Sequence, residues 1–184
     1  QNRLLARGGG IKDITWYEIK ELACVVVLVH IATCNAMGAN IVNTVSEKLS
    51  GFICRILGSC STGLRILSNL TLNRTVKASC LIEPQALDHG GKGDTVIDQI
   101  ISAWEFAWFD VLRASTHNKG VMNGIDPIVI ATGNDWRAVE AGAHAFAAKS
   151  GSYKPLTRWE KTLKGELRGS IELPMALGTV GGVT

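Results

Sequence analysis

One lysine in a polar stretch of this sequence is the first candidate for chemistry. Lys119 stands between Asn118 and Gly120, in a polar and charged segment that runs from Arg113 to Asp126. Segments of this kind between buried elements commonly form loops that carry binding sites. A lysine ammonium fixed in such a loop can stabilise the oxyanion that develops when a carbonyl is reduced. A solvated loop lysine is the alternative, and this segment alone does not choose between them.

An aspartate further along the chain could hold that ammonium. Asp135 ends a Thr-Gly-Asn-Asp stretch directly before an alanine-rich segment. An ion pair between Asp135 and Lys119 would favour the charged form of the lysine. Aspartate is also a common N-cap, and capping the following helix is its commoner use at such a place. Both interpretations are open from the residues alone.

A second candidate site lies where a strand meets a helix. It contains small and polar residues, namely Asn35, Ala36, Met37, Gly38, Ala39 and Asn40. Small residues at a helix start let an anion such as pyrophosphate approach the backbone N–H groups, where the helix dipole favours negative charge. The stretch is not the G-x-G-x-x-G fingerprint, and no Walker loop follows the triple glycine at residues 8–10. Taken alone, it indicates only a tight turn.

The elements that must position these residues follow from periodicity. Strand patterns occur at residues 14–19, 25–29, 64–67, 76–82 and 128–130, and a hairpin with a turn near Lys164-Gly165 is expected over 157–173. Helical spacing runs from an Asn35 cap to Gly51 or Gly58, over 95–113 with Asp94 as cap, and over 136–148. A loop is expected between Ser115 and Thr132. Strands and helices do not alternate regularly, so the predicted class is α+β, with a core centred on Trp104, Trp108 and Trp136.

Composition argues against several kinds of protein. The net charge is +3 and the basic residues are scattered, which does not suggest nucleic acid. The longest apolar run, Leu22 to Ala32, is shorter than the roughly 20 residues that cross a bilayer, so no membrane association is expected. Five cysteines with no C-x-x-C pair argue against a disulfide framework and a zinc site. They favour buried, reduced thiols in a cytoplasmic protein, and no metal is predicted.

Several stretches together resemble class II hydroxymethylglutaryl-CoA (HMG-CoA) reductases. The matching stretches are Leu5 to Gly10, Ala36 to Thr44, Leu64 to Leu70, Thr116 to Pro127 (Thr-His-Asn-Lys-Gly-Val-Met-Asn-Gly-Ile-Asp-Pro) and Ala131 to Ala145 (Ala-Thr-Gly-Asn-Asp-Trp-Arg-Ala-Val-Glu-Ala-Gly-Ala-His-Ala). The last two match most closely. The resemblance runs nearly from one end of the chain to the other.

The resemblance implies a four-electron reduction of HMG-CoA to mevalonate and coenzyme A by two hydride transfers from NADH or NADPH, or the reverse. Lys119 would be the catalytic lysine that polarises the thioester and then the aldehyde oxygen, with Asp135 holding it. Arg113 and Asn123 would bind the carboxylate and hydroxyl end of the substrate, with Asn69 near Lys119 in the same polar network.

The resemblance also implies an architecture. A large substrate-binding domain with a central buried helix would carry an inserted small α+β cofactor-binding domain, both partial in this chain. Residues 1–67 would belong to the small domain, whose stretch from Asn35 to Asn40 receives the cofactor, and residues 68–184 to the large one. Active sites of the family form between two subunits, so a homodimer or higher homo-oligomer is expected.

The sequence departs from the family pattern at several positions. Asn35 stands where the family has aspartate, and Val111-Leu112 replaces the usual proline–tyrosine pair before Arg113. The catalytic glutamate and histidine of the family would lie before Gln1 and after Thr184. The chain is therefore expected to be a central fragment that is inactive alone. The rival interpretations are a non-catalytic relative that binds CoA or a nucleotide, and a structural module in which Lys119 and Asp135 form a surface pair worth about 0 to 1 kcal/mol.

Overall fold

The computed structural model describes residues 2–58 and 60–179 of the chain. In chain order, the elements are α1 (Asn2–Ala6), β1 (Gly10–Ile19), a 3-10 turn (Lys20–Leu22), β2 (Cys24–Ala32), α2 (Ala39–Leu57), β3 (Thr75–Ile82), a second 3-10 turn (Pro84–Leu87), α3 (Gly93–Phe109), α4 (Val111–Ala131), α5 (Trp136–Ala147), β4 (Thr157–Lys161) and β5 (Leu167–Pro174). The described residues therefore form a mixed fold of helices and two small sheets, in line with the predicted α+β class.

The chain divides into two compact units. Among the described residues, the first unit comprises residues 2–68 together with 177–179, and the second comprises Asn69–Ala176. The sequence had suggested a boundary after residue 67 and had assigned everything after it to one domain. The end of the described chain returns to the first unit, where the Thr179 backbone N–H donates to the Asn35 carbonyl oxygen at 2.9 Å.

The first unit consists of an antiparallel strand pair and one long helix. β1 and β2 pair antiparallel from Gly10 opposite Ala32 to Ile19 opposite Cys24, and the β-branched residues of β2 favour this extended conformation. The helix α2 begins at Ala39 with Gly38 as its N-cap, so the prediction that Asn35 caps it is wrong. It ends at Leu57, before Gly58, which confirms the longer of the two predicted ends.

Two further expectations for the first unit are wrong. Residues 64–67 form no strand, because a strand pattern needs a partner for its backbone groups and none pairs there among the described residues. Cys54 and Cys60 form a disulfide and Cys34 is exposed, which contradicts the expectation of buried, reduced thiols; Cys80, in the second unit, is exposed as well. Gly58, the residue after α2, has a positive φ of 79°.

The second unit packs three helices with a three-stranded antiparallel sheet of order β3-β5-β4. The hairpin of β4 and β5 is confirmed, with Lys161 opposite Leu167 beside the turn. The helix α3 packs against α4, and α5 packs against both α4 and β5. The core consists of aliphatic and small residues, with Ile97, Ala107, Ala114, Met122, Val129, Val139, Ala143, Leu167 and Leu173 all buried.

The tryptophans border this core and do not form its centre. Trp108 is 40% exposed and Trp136 is 39% exposed, so the expected tryptophan-centred core is wrong. The indole N–H of Trp104 donates a hydrogen bond to the Thr157 carbonyl oxygen at 2.7 Å. A large ring with one polar group fits the border between an apolar core and solvent better than the core itself.

The segment after α3 differs most from expectation. Residues 111–131 form one continuous helix, α4, where a loop and a short strand were predicted. The helix starts at Asp110, whose carboxylate accepts from the Arg113 backbone N–H at 2.6 Å. Asp110 therefore divides the helix that was predicted over residues 95–113. The N-cap of α3 is Lys92, so the prediction that Asp94 caps this helix is wrong. Pro127 lies inside α4 although proline lacks the N–H that a helix interior uses.

Candidate active site

Three predicted substrate and catalytic residues lie on α4 (Val111–Ala131). Lys119 and Asn123 are exposed, and Arg113 is half-buried in the first turn. Residues four apart in a helix share one face, so Lys119 and Asn123 project from the same side of α4. This face presents one ammonium and one amide to a possible ligand.

A buried asparagine sets the rotation of α4. Asn118 is fully buried, its Nδ2 donates to the Lys154 carbonyl oxygen at 2.9 Å, and its Oδ1 accepts from the Leu156 N–H at 2.8 Å. Consecutive helical residues point about 100° apart. With Asn118 turned inward and satisfied at both ends of its amide, Lys119 must point outward. Sequence reasoning missed this residue because it treated the segment as a loop.

His117 has a structural environment. Its Nε2 lies 2.6 Å from the Thr157 Oγ1 on β4. Burial lowers the pKa of the imidazole below its ordinary value of 6.5, and the nearby Arg113 charge lowers it further. The imidazole is therefore neutral at physiological pH, and its contact ties α4 to the sheet.

Asp135 caps α5 (Trp136–Ala147) in this structure. Its Oδ1 accepts from the Ala138 backbone N–H at 3.1 Å, as the capping interpretation expects. No ion pair within 4.0 Å joins Asp135 to Lys119, although the structure describes both residues. The expected ion pair is therefore absent here. The carboxylate is drawn instead to the N–H groups and the positive dipole end of α5.

The turn between α4 and α5 holds Asp135 in place. Gly133 has a φ of 66°, which favours glycine. Asn134 is buried, its backbone N–H donates to the Val129 carbonyl oxygen at 2.9 Å, and its side-chain Nδ2 reaches the Thr132 Oγ1 at 3.2 Å. These bonds fix the exit from α4 and the entry into α5, so Asp135 is presented by a closed turn.

Asn69 lies against α5. Its carbonyl oxygen is 2.5 Å from the place where a Cβ on Gly142 would stand, and it accepts from the Thr71 N–H at 3.1 Å. Only glycine permits this approach. Among the described contacts, no hydrogen bond joins Asn69 to Lys119, so the predicted shared network is not formed directly. Gly142 is a second residue that sequence reasoning missed.

The predicted cofactor stretch, residues 35–40, forms a tight turn into α2. Gly38 has a φ of 97°, and a Cβ there would clash with the Thr33 side chain. Thr33 Oγ1 donates to the Ala36 carbonyl oxygen at 3.0 Å. No side chain caps the first turn of α2. The backbone N–H groups of that turn lack partners within the helix. With no capping side chain bonded to them, they are open to an anion.

Other kinds of site receive little support from the described residues. Among them, no three His, Cys, Asp or Glu side chains gather as metal ligands. None of the helices described has the length and apolar character needed to cross a membrane. One cleft of about 240 Å³ is lined by residues such as Trp108, Phe146 and Leu156 and contains none of the predicted site residues.

Comparison with known proteins decides the family. The family model described as hydroxymethylglutaryl-coenzyme A reductase matches residues 1–184. The chain belongs to the HMG-CoA reductase family. The Archaeoglobus fulgidus reductase is 46% identical over 183 residues, which are 98% of this chain and 41% of that protein. A probable HMG-CoA reductase of Borreliella burgdorferi is 39% identical over 96% of this chain and 41% of its own length. The chain thus spans about two fifths of these relatives.

Solved reductase structures share the fold. A class II HMG-CoA reductase from Streptococcus pneumoniae, bound to NADPH in open conformations, aligns with a TM-score of 0.92 and 43% identity over 98% of this chain and 44% of that one. A second structure of the enzyme from this organism aligns with the same TM-score and identity over 43% of its length. The likeness to class II members of the HMG-CoA reductase family therefore extends to the backbone.

The Asn118 contacts predict a loss of stability on substitution. Asn118→Leu keeps the branched shape of the side chain but leaves the Lys154 carbonyl and the Leu156 N–H without their partner. We expect the free energy of unfolding to fall by about 2 to 6 kcal/mol, since each buried polar group left unsatisfied costs about 1 to 3 kcal/mol. Urea unfolding of the complete protein measures the change. An unchanged midpoint would show that these two contacts do not hold α4.

Gly142 predicts a contrast between two helical glycines. Gly142→Ala places a Cβ against the Asn69 carbonyl, and overpacking costs about 1 to 3 kcal/mol, which outweighs the gain of about 1 kcal/mol from helix propensity. Gly51→Ala on α2 is the matched control, because nothing lies within 4 Å of its added Cβ. We expect thermal unfolding to shift down for the first variant and up for the second. Equal shifts would contradict the close approach of Asn69.

Proposed function

We propose that this chain is the central segment of a class II HMG-CoA reductase. The enzyme would interconvert HMG-CoA with mevalonate and coenzyme A, using NADH or NADPH. The observation that carries the proposal is the family match over all 184 residues together with a TM-score of 0.92 to an NADPH-bound class II reductase. The polar face of α4 supplies chemistry that suits the reduction of a carbonyl.

In the proposed mechanism, Lys119 binds the thioester oxygen and later the aldehyde oxygen. The nicotinamide, when bound, supplies the hydride. Negative charge then develops on the oxygen, and an ammonium held beside it lowers the energy of that state. Lys119 is exposed, and its ammonium is carried on a long flexible side chain that can reach an acyl group placed over α4.

Substrate recognition is assigned to polar groups on α4 and to Asn69, which lies against α5. Arg113 and Asn123 would bind the carboxylate and the hydroxyl of the acyl end, and Asn69 would complete the polar lining. A guanidinium suits a carboxylate because its N–H groups match the two oxygens. Asp135 would hold Lys119 once substrate is bound. The flexible lysine stem allows that movement, while the first turn of α5 keeps the carboxylate in place.

Cofactor binding is assigned to the first unit. The stretch from Asn35 to Asn40 would receive the pyrophosphate of the dinucleotide at the N-terminus of α2, where a glycine cap leaves room for an anion. The first unit would then be part of a small cofactor-binding domain inserted into a larger substrate-binding domain represented by the second unit. NADH and NADPH are both retained as candidates.

We also propose assembly and location for the complete enzyme. A homodimer or higher homo-oligomer would complete the active site with residues that this chain does not contain. A cytoplasmic location fits the three free cysteines, which are typical of a reducing compartment.

The catalytic assignment is tested in the protein encoded by the complete reading frame. Lys119→Met removes the ammonium and keeps an unbranched side chain of similar length. We expect kcat to fall by about 100-fold or more, the size seen when one oxyanion donor is lost, measured as oxidation of NADH or NADPH with HMG-CoA. Lys164→Met, at the exposed turn between β4 and β5, is the matched control and should leave turnover unchanged.

Two outcomes would overturn the proposal. Normal turnover in the Lys119→Met variant would assign the chemistry to another residue. Binding of coenzyme A without any oxidation of reduced nicotinamide by the complete protein would favour a non-catalytic relative. The isolated 184-residue chain is expected to show no turnover, because it spans only about two fifths of the reductases that it matches.

A further inference from the structure

A cleft of about 240 Å³ in the second unit has no part in the proposed reaction. It lies where the last turns of α3 and α5 meet the chain that leads to β4. Pockets for small molecules have volumes of about 300 to 1,000 Å³ and mostly apolar linings. The apolar part of this lining consists of Trp108, Phe146, Ala147, Pro155 and Leu156. A cleft slightly below that size range suits a ligand smaller than a typical drug.

The charged groups of the lining are all positive. They are Lys149 and Lys154, and the remaining polar residue is Ser150. Neither lysine forms an ion pair within 4.0 Å among the residues that the structure describes. The Lys149 Nζ lies 3.6 Å from the centre of the Phe146 ring, and the Lys154 Nζ lies 5.2 Å from the centre of the Trp108 ring. Two ammonium groups therefore border the apolar lining, and no carboxylate of the described chain neutralises them.

Hydrogen bonds fix the wall that carries Lys154 before any ligand binds. The Lys154 Nζ donates to the Trp108 carbonyl oxygen at 2.7 Å, and the Lys154 backbone N–H donates to the Ala147 carbonyl oxygen at 2.9 Å. On the inner side, the Asn118 amide bonds the Lys154 carbonyl and the Leu156 N–H. A lysine ammonium has three N–H groups, so two remain available to a ligand. A site that is already ordered loses less conformational freedom when a ligand binds.

We propose that this cleft binds a small aromatic carboxylate of one or two rings. The ring packs against the side chains of Trp108 and Phe146, since aromatic pairs are favourable beyond the apolar area that they bury. The carboxylate accepts hydrogen bonds from Lys149 and Lys154, and such charge-assisted bonds select an anion over a neutral molecule of the same shape. The proposed site lies apart from the residues assigned to the reductase reaction and does not depend on that assignment.

Two probes of nearly the same shape test the proposal by isothermal titration calorimetry with the complete protein. One is 2-naphthoate, and the other is 2-naphthamide, in which a neutral amide replaces the carboxylate. We expect 2-naphthoate to bind at least about tenfold more tightly, since a hydrogen bond to a charged group is worth roughly that factor. Inorganic phosphate, an anion without an apolar body, should not displace it. Equal affinities for the two probes, displacement by phosphate or no binding of 2-naphthoate would contradict the proposal.

Charge variants locate the binding in the cleft. Lys149→Gln and Lys154→Gln should each weaken 2-naphthoate binding by about tenfold and leave the weaker binding of 2-naphthamide unchanged, which a defect in folding would not do. Lys164→Gln is the matched control and should bind both probes as the parent does. Lys164 is exposed in the β4–β5 turn near the N-terminal end of α3. Trp108 lies at the other end of that helix, roughly 20 Å away.

The Lys119→Met variant separates this site from the proposed active site. It should bind 2-naphthoate as tightly as the parent, because Lys119 does not line the cleft. Loss of binding in Lys119→Met, or binding like that of the parent in both Lys149→Gln and Lys154→Gln, would place the carboxylate elsewhere and refute the proposal. Neither result affects the proposed function, which is decided by the turnover of Lys119→Met and not by its affinity for 2-naphthoate.

Discussion

The buried amide of Asn118 is the contact on which the rest of the site depends. Both of its ends are bonded to backbone groups in the segment from Lys154 to Leu156, and a half-turn of α4 would leave four polar groups without partners. Such a loss is large compared with the stability of a typical domain. Because α4 cannot rotate, the outward direction of Lys119 and Asn123 follows from the inward direction of their neighbour.

The helix α5 meets the site through two different contacts, each requiring one residue type. Its N-cap needs a short acceptor, supplied by Asp135. Its interior needs a glycine, because the Asn69 chain passes too close for a Cβ at residue 142. The many alanines of α5 let neighbouring segments lie close to its backbone, so its packing depends on small residues more than on large side chains.

The main failure of sequence-based prediction is α4, and its cause is physical. Gly120, Gly124 and Pro127 each disfavour a helix interior, and local preference therefore indicated a loop. Burial of Ala114, Asn118, Met122 and Val129 on one face overrides that preference. The four-residue spacing of Ala114, Asn118 and Met122 was visible and could have identified the helix and the buried amide. The Cys54–Cys60 pairing had no such signal, because it depends on where the chain turns after α2.

The sequence by itself determined what depends on near neighbours and on family likeness: the reductase resemblance, the β4–β5 hairpin, the two strands of the first unit, and the helix that begins after Asp135. Only the tertiary structure decided which groups meet across elements. It shows Asp135 bonded to Ala138 without an ion pair to Lys119, and it brings the Asn118 amide to the backbone of Lys154 and Leu156. The reason is that contacts between helices depend on their rotation and spacing, which are set by the packing of the whole second unit and not by local spacing along the chain.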